Sequence, residues 1–397
     1  MLNRSVLIAG AGIGGLTAAL TLHAAGHEVA VIESSRTISP LGVGVSLQPE
    51  AVAVLTELGL ADELADLAVA TTEHVYIDRY GTVQTTQPRG TAAGHRLPQY
   101  SVHRGELQSL LLAAVRSRLG DAAVRTGARL SNFEQTDDVV RVQLDDRLRA
   151  DTETVTADAL VGADGIHSVV RARLHQGPDP LRWSGMQIWR GVVEGEPFLD
   201  GQSMAVGKDE HGRRFVSYPI GRRANGRVLL NWVAMVPLAE PQPLPATDVH
   251  NSLVSSDDVL RYFEHWSLSW LNVAALIAAT PEILRHPMVD RDPLDRWGRG
   301  RVTLLGDAAH PMYPVGANGA TQAILDAEAL ARALPEHSAE TALTEYESER
   351  RPATTTVVLA NRTMENSLRG GDNLTDITTN YRTTVSGPGR QPDPQRQ

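Results

Sequence analysis

A chain of 397 residues that is 42% hydrophobic and 21% charged can bury a sizeable core, as one large domain or two intertwined ones. Its net charge of −10 with no basic block argues against a nucleic-acid partner. The absence of cysteine excludes disulfides, thiolate metal ligands and a cysteine nucleophile, and fits a reducing cytoplasm.

In chain order, residues 5–9 read as a short strand, residues 16–25 have helical spacing stopped by Gly26, and residues 28–32 read as the next strand. The apolar stretch from Val6 to Leu22 is interrupted by glycines, so it reads as strand, turn and helix rather than as a signal peptide. This βαβ unit implies a parallel sheet. Residues 74–78 and 82–86 flank Arg79-Tyr80-Gly81 as a hairpin, and helical spacing returns over 105–119. Residues 186–193, 203–206, 215–220 and 228–236 form a second, antiparallel-like series of strands, with Asn225-Gly226 as a turn. Residues 257–279 read as helix, 302–305 as a strand of the first sheet, and 340–368 as an amphipathic helix. Residues 385–397 read as a disordered tail. No uninterrupted apolar run is long enough for a membrane span.

Three loops carry chemistry. Gly10-Ala11-Gly12-Ile13-Gly14-Gly15 matches G-x-G-x-x-G, follows a strand, opens a helix and has Glu33 at the end of the next strand. Gly10 permits the turn, Gly12 lets backbone approach a pyrophosphate at the helix N-terminus, Gly15 allows helix–strand packing, and Glu33 is placed for a ribose hydroxyl. Asp164-Gly165 follows an apolar strand and precedes a helical segment, where Asp164 can accept a ribose or amide hydrogen bond. In the stretch from Gly306 to Gly319, Asp307 ends a strand, Pro311 and Pro314 stiffen the loop, and Gly316, Asn318 and Gly319 lead into an Ala-rich helix. The N-terminus of that helix favours negative charge.

Together GAGIGG with Glu33, VGADG at 161–165 and LLGDAAHP at 304–311 resemble the single-component FAD-dependent aromatic hydroxylases, the para-hydroxybenzoate and salicylate hydroxylases among them. The resemblance covers about residues 1–365 and includes YESERRP at 346–352. It implies an α/β fold: a Rossmann-like FAD-binding domain with an inserted mixed or antiparallel β-sheet substrate domain and C-terminal helices. The domains expected are FAD binding at 1–70, 99–180 and 288–335, substrate binding at 71–98 and 181–287, and a helical region at 336–370. Arg36 is then expected near the adenosine end and Arg104 near the ribityl and phosphate portion of FAD. Asp164 and Asp307 are expected to hold FAD hydroxyls, Gly316, Asn318 and Gly319 to face the pyrimidine edge, and Pro314 to line the reactive ring face. NADH or NADPH would be a transient co-substrate and O₂ a substrate, through a flavin C4a-hydroperoxide. Segments at 188–191, 198–201, 208–211, 217–220 and 231–233 further resemble phenazine-carboxylate hydroxylases, which implies a fused nitrogen-heteroaromatic substrate and hydroxylation with or without decarboxylation.

Tyr218 is the candidate substrate contact, with Pro314 and Gly316 completing the catalytic set. Trp189, Trp232 and Met204 read either as pocket walls or as plain core, and His310 as structural. Thirteen histidines without zinc-type spacing predict no metal, and Lys208, the single lysine, stands in no halogenase-like context. A flavin oxidase or reductase, a hydroxylase of a simple phenolic acid such as salicylate, and a non-catalytic FAD-fold protein are the competing readings. A monomer and a homodimer are both compatible with the sequence.

Overall fold

The computed structural model describes residues 4–39, 42–146, 151–245, 247, 251–334, 337–370 and 374–386. The chain opens with β1 (Ser5–Ala9), α1 (Ile13–Ala24) and β2 (Glu28–Glu33). Then come β3 (Gly44–Leu47), α2 (Pro49–Glu57), α3 (Ala61–Leu67), β4 (Val69–Thr71), the hairpin β5 (Glu73–Asp78) and β6 (Val83–Pro88), β7 (Gln99–His103) and α4 (Arg104–Leu119). Next are β8 (Val124–Thr126), β9 (Ala128–Gln135), β10 (Val140–Asp146), β11 (Asp151–Ala157), β12 (Ala159–Gly162) and α5 (Val169–Leu174). The long β13 (Leu181–Gly195) is followed by β14 (Met204–Lys208), β15 (Arg214–Arg222), β16 (Val228–Pro237), β17 (Gln242–Leu244) and β18 (Ser252–Val254). The chain closes with α6 (Asp257–Phe263), α7 (Val273–Ala278), β19 (Ile283–Asp290), β20 (Val302–Leu304), α8 (Gly319–Ala333), α9 (Ala339–Gly370) and α10 (Leu374–Ser386).

A five-stranded sheet runs β20-β12-β1-β2-β8, every pair parallel. Helix α1 is apolar all round and buried from Ile13 to Leu22, wedged against α8 and α4, as a helix inside a core must be. The larger sheet runs β18-β19-β13-β16-β15-β14-β5-β6, with β17 beside β13. Its strands alternate between two faces. One face puts Trp189, Phe215, Trp232 and Ala234 against Phe263 and Trp266 of the α6–α7 layer. The other turns Met186, Ile188 and Met235 toward Tyr313, and groups Met204 with Tyr218 and Ile220.

Several elements differ from expectation. Residues 257–279 split into α6 and α7, because Trp266 and Leu268 turn inward to the core and break the helical spacing between them. Residues 128–146 and 151–157 form a separate antiparallel sheet, β11-β10-β9. Helix α10 was not foreseen, and it takes in residues 385 and 386 of the expected tail; the rest of that tail lies outside the described residues. No helix among the described residues is long and apolar enough to cross a membrane.

Candidate active site

Three adjacent parallel strands, β20, β12 and β1, end side by side, and their carboxyl ends carry the three loops singled out in the sequence. That edge is where open α/β sheets bind ligands. The loops are laced together: the Ala163 amide donates to the Ala9 carbonyl at 2.8 Å, and the Leu305 amide to the Gly162 carbonyl at 2.9 Å. Gly10 has φ +112°, and a Cβ there would stand 2.3 Å from the Ala163 carbonyl oxygen. A Cβ on Gly15 would stand 2.0 Å from the Gly10 carbonyl oxygen, while one on Gly14 would meet Leu305 of the third loop at 2.6 Å. Gly12 is different: nothing lies within 4 Å of its Cβ position. Gly12 caps α1 without a side-chain hydrogen bond, and no acidic residue lies in the helix's first turn. Open space in front of unspent amides at a helix N-terminus fits a pyrophosphate.

Glu33 stands at the end of β2 and braces this loop. One carboxylate oxygen accepts from the Ala11 amide at 3.0 Å and the other from the Ser35 amide at 2.7 Å. Arg36 is exposed beyond it. Arg104 is the first residue of α4 and is also exposed, with its stem lying alongside Gly42. Asp164 caps α5, accepting from the Ser168 hydroxyl and from the amides of Val169 at 2.7 Å and Val170 at 3.3 Å. Burial raises its pKa, against those hydrogen bonds. Gly165 has φ +76° with open space around it.

The third loop is anchored by Asp326 and Arg171, which the sequence did not mark, together with His310 and the YESERRP segment, which it did. Buried Asp326 of α8 accepts from the Gly306 amide at 3.0 Å, His310 Nε2 at 2.6 Å and Arg350 Nε at 2.8 Å. The carboxylate thereby ties the loop's start, its middle and α9 to one point. Tyr346 donates to the Leu304 carbonyl at 3.0 Å, so YESERRP works here as a clamp on β20 and α8. Arg171 of α5 pairs with Asp179 and donates to the Ala308 and Ala309 carbonyls, joining the second loop to the third. Asp307 itself is exposed. Among the described residues no acidic side chain lies in the first turn of α8, whose N-cap Asn318 sends its side chain elsewhere.

That side chain donates to the Tyr381 hydroxyl of α10 at 2.7 Å. Tyr381 donates to Asn361 Oδ1 at 2.7 Å, and Asn361 Nδ2 donates to the Tyr313 carbonyl at 2.8 Å. Burial pushes the phenol up to about 12, so it remains a neutral donor. Pro314 and Gly316 lie in the turn between these two tethers; a Cβ on Gly316 would collide with the Tyr381 hydroxyl. Replacing Tyr381 by Phe keeps the ring and deletes both hydrogen bonds. FAD affinity should fall by up to about 30-fold, since two hydrogen bonds are lost and each contributes roughly 1 kcal/mol net. Fluorescence titration of the apoprotein measures this; equal affinities would remove Tyr381 from the account of the loop.

The sheet face turned to this loop is open. In its central strands Arg190, Val192, Val206, Val216 and Val233 keep accessible surface, while Trp189, Ala205, Phe215, Trp232 and Ala234 on the opposite face are buried. The recess is closed at one end by Tyr313 and half-buried Val315. At the other end β3 presses in: the Gly44 amide donates to Asn231 Oδ1 at 2.7 Å, and a Cβ on Gly44 would touch Tyr218 at 2.8 Å. Tyr218 lies on this face, its phenol raised to about 12 by burial, with Arg190 acting in opposition. Met204 shares its cluster. Trp189 and Trp232 belong to the core of the other face and line no part of the recess. His310 is structural, and the described residues hold no cluster of metal-ligating side chains. A surface groove lined by Ile77, Gln84, Lys208 and Asp209 contains none of these residues.

Known proteins match this arrangement. The FAD binding domain family matches residues 3–254 and 271–361. The phenazine 1,6-dicarboxylic acid hydroxylase PhzS of Lysobacter antibioticus is 50% identical over 396 residues, covering 96% of this chain and 97% of its own length. The aurachin C monooxygenase/isomerase of Stigmatella aurantiaca is 34% identical, covering 83% of this chain and 80% of its own length. The solved structure of Klebsiella pneumoniae HpxO complexed with FAD and uric acid superposes with a TM-score of 0.76 at 27% identity, over 97% of each chain.

Proposed function

The chain belongs to the FAD-dependent aromatic hydroxylases, and from that premise we propose that it oxygenates a fused nitrogen-heteroaromatic carboxylate of the phenazine class, with NAD(P)H and O₂. The observation that carries the substrate class is the 50% identity to a phenazine dicarboxylate hydroxylase over nearly the whole chain, the recess-forming sheet included. An open recess with a flat valine-rich wall suits a planar ring system.

Bound FAD supplies the redox chemistry, accepting reducing equivalents from NAD(P)H and activating O₂. The chain's own residues do the rest. The α1 N-terminus and Gly12 would hold the pyrophosphate, and Glu33 the adenosine ribose. Exposed Asp307 would hold hydroxyls of the ribityl chain, and Asp164, already bonded to Ser168 and the start of α5, would fix the second loop for them. The α8 N-terminus has no acidic residue in its own first turn, although the Asp307 carboxylate reaches the Gly319 position, and its amides would favour negative charge on the reduced ring. Pro314 and Gly316 shape the loop that would face the bound ring, and the sheet would keep bulk water from it. Tyr218, neutral at physiological pH, donates to a ring substituent rather than acting as a base.

Purified protein loaded with FAD is tested for NADH and NADPH oxidation with phenazine carboxylates and hydroxybenzoates, under isotopically labelled O₂. The expected product from a phenazine carboxylate either gains one labelled oxygen atom or has its carboxyl replaced by labelled hydroxyl. Peroxide as the sole product would mark an oxidase. Turnover confined to salicylate-like acids would replace the proposed substrate class.

A further inference from the structure

We propose that Arg190 is the anion anchor of the recess: its guanidinium binds the carboxylate of the aromatic substrate and so sets which ring edge faces the Tyr313–Gly316 loop. This rests on the reading of the chain as a hydroxylase of aromatic carboxylates.

Arg190 lies on β13 two residues past Ile188, which packs against Tyr313, and two before Val192. Alternation along a strand puts all three on the recess face. Its register partners, Val233 on β16 and Leu284 on β19, are apolar. The titratable groups that act on it are Tyr218 and Arg104, and Arg190 in turn acts on His286 of β19. None of these is an acid. Burial, then the charge of Arg190, push His286 down to about 3, so the imidazole is neutral beside it.

Fully buried arginines of this chain show the contrast. Arg171 faces Asp179, Arg214 faces Glu365 and Arg350 faces Asp326. Arg190 makes no ion pair with any described residue, and its buried Nε has no hydrogen-bond partner. Burial lowers it to about 10, which leaves it charged at neutral pH. A half-buried guanidinium whose inner nitrogen has no partner and which meets no counter-charge is costly unless a ligand supplies one. The ligand it fits is a carboxylate, taken through two parallel N–H donors in a single plane. Cofactor phosphates are an inferior match. Their site is the α1 N-terminus at the end of the parallel sheet, whereas Arg190 stands in the middle of the other sheet.

The test compares phenazine-1-carboxylate with its carboxamide on FAD-loaded wild-type, Arg190→Gln and Arg190→Lys enzymes. Binding is read from the perturbed absorption of the bound flavin, and FAD content and KM are measured alongside. Wild type should prefer the carboxylate by about 30-fold or more. Arg190→Gln should lose about 100-fold in carboxylate affinity and KM, with carboxamide binding within about 3-fold and FAD content unchanged, as expected for a lost bidentate charged contact. Arg190→Lys should recover part of the loss. Equal loss of both ligands, loss of FAD, or unchanged carboxylate binding would each overturn the anchor. Wild-type preference measured alone keeps the test decisive if a variant misfolds. Wild type that discriminates neither ligand, yet turns over another aromatic acid, overturns the anchor and leaves the hydroxylase reading standing. Wild type that oxygenates no aromatic acid overturns both.

Discussion

Replacing Asp326 by Ala should cost about 3–5 kcal/mol of stability and abolish FAD retention, the largest effect expected from any single change in this chain. The carboxylate is fully buried and serves three donors at once, from Gly306, His310 and Arg350. Its removal leaves a buried guanidinium unpaired and frees the backbone at the start of the third loop. Burial alone would raise the Asp326 pKa; His310 and Arg350 outweigh it, and the folded value lies below the unfolded one. A depressed carboxylate pKa stabilises the fold above the unfolded value, about 3.9, and that contribution is lost as pH falls through the folded value. The gap between wild type and Asp326→Ala in urea denaturation should therefore be full at pH 5–7 and narrow only below about pH 4. A variant within about 0.5 kcal/mol of wild type at neutral pH would show that the three tethers are not the loop's anchor.

Val at Gly12 and Val at Gly15 should fail in opposite ways. At Gly15 the new Cβ meets the Gly10 carbonyl at 2.0 Å, so backbone must move and about 3 kcal/mol or more is lost in the apoprotein. At Gly12 the Cβ meets no protein atom within 4 Å, so the apoprotein should melt as wild type does. The added side chain would instead fill the space before the α1 amides, and FAD affinity should fall about 100-fold or more. Calorimetry of the two apoproteins and FAD titration separate the effects. If Gly12→Val bound FAD normally, the glycine-rich segment would be a structural turn and the phosphate would lie elsewhere.

The parts of the site visible in the sequence are those imposed by local backbone geometry. Gly10 and Gly15 announce a tight strand-to-helix turn because no other residue fits there, Gly12 by its place in the same pattern, and Asp164 and Asp307 are marked by the strands they follow. The inserted sheet was visible as alternating runs for the same reason. Asp326 looks like one of several polar residues in an Ala-rich helix, and nothing in the helical pattern separates it from Thr321 and Gln322, which are buried with it. Arg171 reaches carbonyls 137 residues away, and Asn318 meets Tyr381 63 residues on, so no window of sequence contains both partners. Arg190 sits in a family-like segment of the sequence, but only the folded sheet shows that it faces the open side, without a counter-charge. The two tryptophans were ambiguous for the converse reason: strand alternation assigns them to one face, and the sequence does not say which face is core.

The sheet above the recess is not continuous in the chain. Its β5–β6 edge precedes α4, while β13 to β19 come after α5, and the two parts meet where β14 runs parallel to β5. The floor at the Tyr218 end comes from a third place, β3. A specificity transplant from a relative therefore cannot travel as one cassette. Exchanging residues 181–290 alone would join a foreign β14 to the native β5 and set a foreign Tyr218 position over the native Gly44. A working chimera has to exchange all three segments together, and mismatched crossovers should show as insoluble protein before they show as altered substrate choice.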